Sequence, residues 1–426
     1  MACMDNERIG MVRSSVNWRD RRRRKFGGMA GASVATFGLL LSACGSSSAP
    51  TSTAAATATK SSFQATHFTT NLKGICPNPL VVQTNWLPEP DHGALWELIG
   101  SGGTMHQYTY TGPLGSTGIN MEIIAGGPGD NYLPEPTALY AGNPVVRVTP
   151  DLGMGSLDTA IQQSKKFPVV GVVSLQEHDP LVFISDPKTF PNLKTLADVI
   201  SAAKKGAHFY VSSLQSAYVQ YFISKGVPES AFIGGYAGDL SKFVTGQGMI
   251  VQQGYATSEV YNLEHNTPAW NKPVNFNFFS NYGLNDYDEV IEVAKPKLAA
   301  MKSCLTKLVP MIQQASVDYI QHPSTVDKVL NKFNSGGFGA SYWSTSLAYS
   351  KAAVARMLKY DLVGNSHGGT GPIGEINLTR LGQNISSLVP IYAKQGSTNY
   401  LPGLTPSDIA TNEFINPSIK LPNSTG

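Results

Sequence analysis

The chain has 426 residues, 42% of them hydrophobic and only 14% charged, with 42 glycines and 27 prolines, so it reads as globular, with apolar material for one large core or two ordinary ones. Its formal net charge is +3, but residues 1–44 hold eight Lys or Arg against three acids. The remainder therefore carries −2, which leaves no electrostatic case for nucleic-acid binding.

At the start, "RRRRKF" (21–26) precedes the uncharged stretch "GGMAGASVATFGLLLSA", which is shorter than the roughly 20 apolar residues a membrane span needs. Basic, apolar and small residues follow one another in the order of an export signal. Its end, Leu41-Ser42-Ala43-Cys44, resembles the lipobox of bacterial lipoproteins, in which the cysteine is diacylated and becomes the mature N-terminus. Two acyl chains suffice for stable anchoring, so residues 1–44 read as a signal peptide and Cys44 as the lipidation site on the extracytoplasmic face of a membrane. Arg23-Arg24-Lys25-Phe26 matches a twin-arginine signal only in part. Residues 45–78 begin with small and polar residues too poor in apolar groups to build a core, and read as a tether and lead-in.

Beyond Cys3 and Cys44, the chain has only Cys76 and Cys304. Exported cysteines meet no reducing pool, which predicts a Cys76–Cys304 disulfide, with two buried thiols as the alternative. The eight histidines are scattered and no CxxC occurs, so neither a metal nor another cofactor is expected.

From residue 79 onward, β-branched runs alternate with helical patterns. Strands are predicted at 80–84, 119–124, 145–148, 169–175, 181–185, 208–211 and 248–252. Helices are predicted at 157–166, 193–204, 213–224, 239–245, 298–320 and 341–362, followed by a short helix and an irregular tail. This alternation implies α/β architecture with mostly parallel sheets flanked by helices. In open α/β sheets ligands bind beyond the carboxyl ends of strands, so the loops after strands are the place to look.

Those loops are "NWLPEPDHGALWELI", "AGGPGDNYLPEP", "QEHDP", "SSLQSAY" and "QGYATSE". They contain Glu89, Asp91, Asp130, Glu177, Asp179 and Glu259 and no Lys or Arg, which suits a neutral or cationic ligand rich in N–H donors better than an anion. Trp86 and Tyr255 offer flat faces for a ring or belong to the core. Glu259, one turn after Tyr255, can accept from amino groups or simply favour a helix start. His92 has three readings: packing, pocket wall or reactive group. The pairs Asp91-His92 and His178-Asp179 lack an identifiable nucleophile, and "GGPGDN" matches neither a Walker loop nor the dinucleotide fingerprint, so no catalytic residue is expected.

The segments "LVVQTNWLPEPDHGALWELIGSGG", "GINMEIIAGGPGDNYLPE", "VVGVVSLQEHDPLVFIS" and "QGYATSEVYNLEH" resemble, in order, stretches of the nitrate/sulfonate/taurine and thiamine-pyrimidine class of ABC-transporter substrate-binding proteins. The resemblance implies a type II periplasmic-binding-protein-like fold with a ligand between two lobes, placed at 79–180 plus 287–426 and at 181–286. It implies ring contacts from Trp86 and Tyr255, Glu259 as acceptor from an amino group, Asp130 and Asn131 on the opposite wall, and a pyrimidine-like heterocycle as ligand; Asp91, His92, His178 and Ser213, from the same strand-end loops, complete the candidate ligand-binding set. It further implies a membrane permease with an ATPase as partner, and a receptor that works as a monomer. A sulfonate or nitrate receptor is the alternative. A second is an enzyme of the same fold that makes the thiamine pyrimidine and consumes its own histidine at the position of His92; such enzymes carry a cysteine-rich iron motif that this chain lacks. "LIGSGGTMHQYTYTGPLGSTGINM" holds extra residues where relatives run directly from helix to strand.

Overall fold

The computed structural model describes residues 68–422 apart from 344; the export segment, Cys44 and the tether through residue 67 lie outside the described residues. In chain order the strands are β1 (Leu80–Gln83), β2 (Thr104–His106), β3 (Thr109–Pro113), β4 (Asn120–Ile124), β5 (Leu152–Gly155), β6 (Val169–Ser174), β7 (Leu181–Ser185), β8 (His208–Tyr210), β9 (Phe232–Ile233), β10 (Ile250–Tyr255), β11 (Asn275–Phe278) and β12 (Val290–Ala294). The helices are α1 (Gly93–Glu97), α2 (Glu135–Ala141), α3 (Leu157–Gln163), α4 (Leu196–Lys204), α5 (Ala217–Ser224), α6 (Ser241–Thr245), α7 (Glu259–Tyr261), α8 (Leu298–Gln321), α9 (Ser324–Ser335), α10 (Leu347–Lys359), α11 (Leu378–Lys394) and α12 (Pro406–Ile409).

Two sheets result, a seven-stranded one in the order β2-β3-β4-β1-β5-β12-β6 and a five-stranded one in the order β11-β7-β10-β8-β9. Strands such as β1 (LVVQ) and β6 (VVGVVS) are buried on both faces, which is why they read as continuous apolar runs rather than alternating ones. The chain crosses from the first sheet to the second after β6 and returns before β12. The sheets are mixed rather than mostly parallel: β1 runs parallel to β4 and β5, and β8 parallel to β10 and β9, but β12 is antiparallel to both β5 and β6. Short-turn returns account for the antiparallel pairs β2–β3 and β3–β4, whereas β7 pairs antiparallel with β10 and β11, strands far along the chain. The extra residues near 104–113 form one such hairpin, β2 with β3, extended onto β4.

The predicted strand at 145–148 is a turn instead. The Asn143 carboxamide oxygen accepts from the backbone amides of Val145 and Val146 at 2.8 Å each, and Arg147 takes a left-handed φ of 64°, so the ladder groups of "VVRV" are spent locally. The strand beside β1 is the following "LGMG" segment. Helix α4 starts where its capping box dictates, with the Thr195 hydroxyl accepting from the Asp198 amide and the Asp198 carboxylate accepting from the Thr195 amide.

Phe68 and Leu72 pack into the core, so the ordered lead-in begins well before β1. A disulfide joins Cys76 to Cys304 of α8, both inside the same apolar cluster. Against that cluster α1 lies directly on α8. A Cβ on Gly93 would fall 2.2 Å from the Tyr319 ring, so only glycine permits this approach. Among the described residues no helix is long and apolar enough to cross a membrane.

Candidate functional site

A cleft of about 710 Å³ opens where the loops following strands of both sheets meet. Asn85, Trp86 and Glu89 follow β1, residues 132–135 follow β4, and Ser156 and Asp158 follow β5. From the other sheet come Ser212, Ser213 and Tyr218 after β8, Tyr236 after β9, and Gln253, Tyr255 and Glu259 on and after β10. The two crossing segments add Asp179, Asp286 and Asp288.

Among the described residues the lining contains seven carboxylates (Glu89, Glu135, Asp158, Asp179, Glu259, Asp286 and Asp288) and no Lys, Arg or His. Burial is the first cause of their raised pKa values, because desolvation penalises the charged form. It pushes Glu135 up to about 8 and Asp288 to about 6, and it raises Asp158 and Glu259. Glu89, Asp179 and Asp286 lie well above the usual carboxylate range, through burial first and then mutual repulsion: Glu89 feels Asp91, Glu259 and Asp288.

Aromatic faces alternate with these acids. Trp86 meets Trp343 edge-on at 5.9 Å and Tyr132 at the same separation in a tilted arrangement. Gly127, at a left-handed φ of 62°, lets its backbone pass beneath Trp86; a Cβ there would lie 2.9 Å from Trp86 Cε3. The Tyr255 hydroxyl donates to Asp288, and the Tyr236 hydroxyl donates to Glu259 Oε1 at 2.6 Å. Glu259 Oε2 accepts from the Tyr255 amide at 2.6 Å. Each oxygen of Glu259 thus has one lone pair engaged in holding the wall and one still able to accept. Removing the side chain therefore costs fold stability as well as any ligand contact.

Of the residues singled out from sequence, Trp86, Ser213, Tyr255 and Glu259 line the cleft, and Asp91, His92, Asp130, Asn131 and His178 do not. Asp91 is buried behind it, its Oδ2 accepting from the Thr257 hydroxyl at 2.6 Å, a bond that ties the loop after β1 to the loop after β10. Asp130 turns inward. The Asn143 side chain donates to Gln83 at 2.9 Å and Gln83 donates to Asp130 at 2.7 Å, so this chain of amides fixes the loop after β4. Asn131 is exposed at a positive φ.

His178 sits 3.3 Å from an Arg380 guanidinium nitrogen, and burial, then that cation, press it down to about 4. Arg380, arriving from α11, also donates to the Glu177 carbonyl at 2.6 Å and stacks 3.4 Å from the Tyr287 ring centre. The "QEHDP" loop is thus not one-sidedly acidic in the fold, because a distant helix brings its cation. His92 is fully buried, which holds it near pKa 3 and neutral.

Sequence reasoning did not single out Glu135, Asp158, Asp286, Asp288, Tyr236 or Trp343. Tyr236 follows a two-residue strand too short for a pattern, and Trp343 lies in a loop read as helix. The run "NDYDE" (285–289) before a β-branched stretch was the signal available for Asp286 and Asp288.

No family model matches the chain, and no curated protein matches it. Among solved structures the chain is similar to the following. The alkanesulfonate-binding protein SsuA from Xanthomonas axonopodis pv. citri, bound to MOPS, is 12% identical over 79% of this chain and 100% of its own, with a TM-score of 0.46. The periplasmic aliphatic sulphonate binding protein SsuA from Escherichia coli is 14% identical over 75% and 89%, with a TM-score of 0.45. The periplasmic nitrate-binding protein NrtA from Synechocystis PCC 6803 is 8% identical over 80% and 88%, with a TM-score of 0.47. The chain's own fold is a mixed α/β arrangement of two sheets flanked by helices.

Proposed function

We propose that the chain is an extracytoplasmic solute-binding lipoprotein of an ABC importer, capturing a small nitrogen heterocycle with amino or cationic groups between two lobes and releasing it unaltered to a permease. The lobes are residues 79–180 with 287–426, and residues 181–286. The observation that carries this reading is the cleft itself, with seven carboxylates facing aromatic rings and no cationic side chain in the wall. A ring stacks on Trp86 or Tyr255 while its N–H groups donate to the free lone pairs of Glu259 and its neighbours. Leaving one such buried acid unpaired by a wrong ligand costs roughly 1–3 kcal/mol, which gives selectivity. A sulfonate or nitrate would find no cationic side chain among the described residues of the wall.

Trp86 and Trp343 provide the assay, since both line the cleft and sit against each other. Tryptophan fluorescence is titrated with aminopyrimidines and other amino heterocycles, and separately with alkanesulfonates and nitrate. Saturable quenching by a nitrogenous compound, weakened in Glu259→Gln, is expected. Saturable binding of a sulfonate or nitrate with no response to any nitrogenous compound refutes the proposal, and turnover of a bound compound, followed by mass spectrometry, refutes the receptor reading.

A further inference from the structure

Behind the cleft wall three side chains converge from two distant parts of the chain. Glu89 stands just before the 3-10 turn Pro90–His92, His92 is its last residue, and Glu289 stands immediately before β12. One donor atom from each lies within 4.8 Å of the others, and His92 and Glu289 are wholly buried. His92 Nε2 is 3.6 Å from Glu289 Oε1 and 3.8 Å from Glu89 Oε1, too long for hydrogen bonds. Neither ring nitrogen of His92 nor either oxygen of Glu289 has a hydrogen-bond partner. Buried donors and acceptors are rarely left this way, and each exception asks for a missing occupant.

We infer that Glu89, His92 and Glu289 form a site for one divalent first-row transition ion, such as Zn²⁺. Ligand atoms about 2.0–2.2 Å from a tetrahedral ion stand about 3.4 Å apart, close to the two separations seen, so small side-chain movements suffice. One imidazole with two carboxylates suits a borderline cation and not Ca²⁺ or Mg²⁺, which take oxygen ligands. Two carboxylates also neutralise a divalent charge. Glu89 belongs to both the trio and the cleft lining, so the ion adjoins the cleft without being the captured solute. The Glu89-x-x-His92 spacing is visible in the sequence, but its third member comes only with the fold.

The test uses the mature protein stripped with a chelator and shown to be folded by circular dichroism, titrated with Co²⁺ and, in competition with a chromophoric chelator, with Zn²⁺. Uptake of one ion per chain with the visible absorption of a four- or five-coordinate Co²⁺ site is expected. His92→Gln and Glu289→Gln should each weaken binding by more than the roughly 10- to 100-fold that outer-shell changes cost, and Glu229→Gln, at an exposed position outside the cleft, should leave it unchanged. X-ray absorption of the Zn²⁺-loaded wild type should show one imidazole among oxygen ligands, a measurement that holds even if a variant fails to fold. Absence of uptake by folded wild type, an oxygen-only shell, or binding undiminished in both variants overturns the assignment.

Discussion

Glu97 closes α1 with a carboxylate that is 1% exposed, has no hydrogen-bond partner on either oxygen, and faces the negative charge of Asp318. Burial first, and that charge second, push it from an ordinary 4.5 to about 8. A group raised in the folded state keeps its proton while the unfolded chain has already lost one. Its contribution is fully present below about 4.5 and drains away as pH climbs to about 8. At 1.36 kcal/mol per pH unit that interval sets a ceiling of about 5 kcal/mol. Glu97→Gln is a neutral isostere of the protonated acid, though its carboxamide still lacks a partner, which costs about 1–3 kcal/mol at any pH. The variant should therefore gain on wild type between pH 5 and pH 8 by about 2–4 kcal/mol. Urea unfolding of both proteins at the two pH values gives this difference directly, free of any constant offset. Parallel pH slopes for the two proteins would refute the reasoning, because they would mean that Glu97 is already ionised in the fold.

Replacing Cys76 and Cys304 by alanine opens a loop spanning 228 positions. The chain-entropy relation gives about 5 kcal/mol for such a loop, so the denaturation midpoint should fall steeply, and a change below about 1 kcal/mol would argue against it. Gly93→Ala drives a methyl group into the Tyr319 ring and should cost about 1–3 kcal/mol or more by thermal unfolding, with Tyr319→Leu in the same chain restoring part of the loss. Cys44→Ser should convert a membrane-retained protein into a released one, read by fractionation and by mass analysis of the mature N-terminus; unchanged retention would place the anchor elsewhere. Ligand capture at pH 6–8 should release protons from the cleft carboxylates, seen as a buffer-dependent heat of binding, because a cationic guest draws Glu135 down from about 8.

Much of the arrangement was legible from local patterns. The runs that became β1, β4, β6, β7, β8 and β10 bury both faces or nearly so, and apolar content alone marks them. What escaped depends on partners far away in sequence. "NFNF" is a strand only because β7 receives it, and "VIEVA" only because β5 and β6 leave a gap that it fills. The opposite error, "VVRV", has strand composition but gives its amides to Asn143. In the cleft the strand-end loops gave its acidic, aromatic character. They could not reveal that Asp91 and Asp130 point away, engaged by Thr257 and Gln83, nor that Arg380 would cross the fold to reach Glu177.

The stretches linking one sheet to the other are also the stretches that carry Asp179, Asp286 and Asp288. Strap and cleft wall are therefore one object. Neutralising those acids, by a proton or by an arriving guest, acts on the very spans about which the two jaws would swing, with no relay through the rest of the molecule. On the proposed receptor reading, a change at any of these three aspartates should disturb ligand capture and lobe closure together.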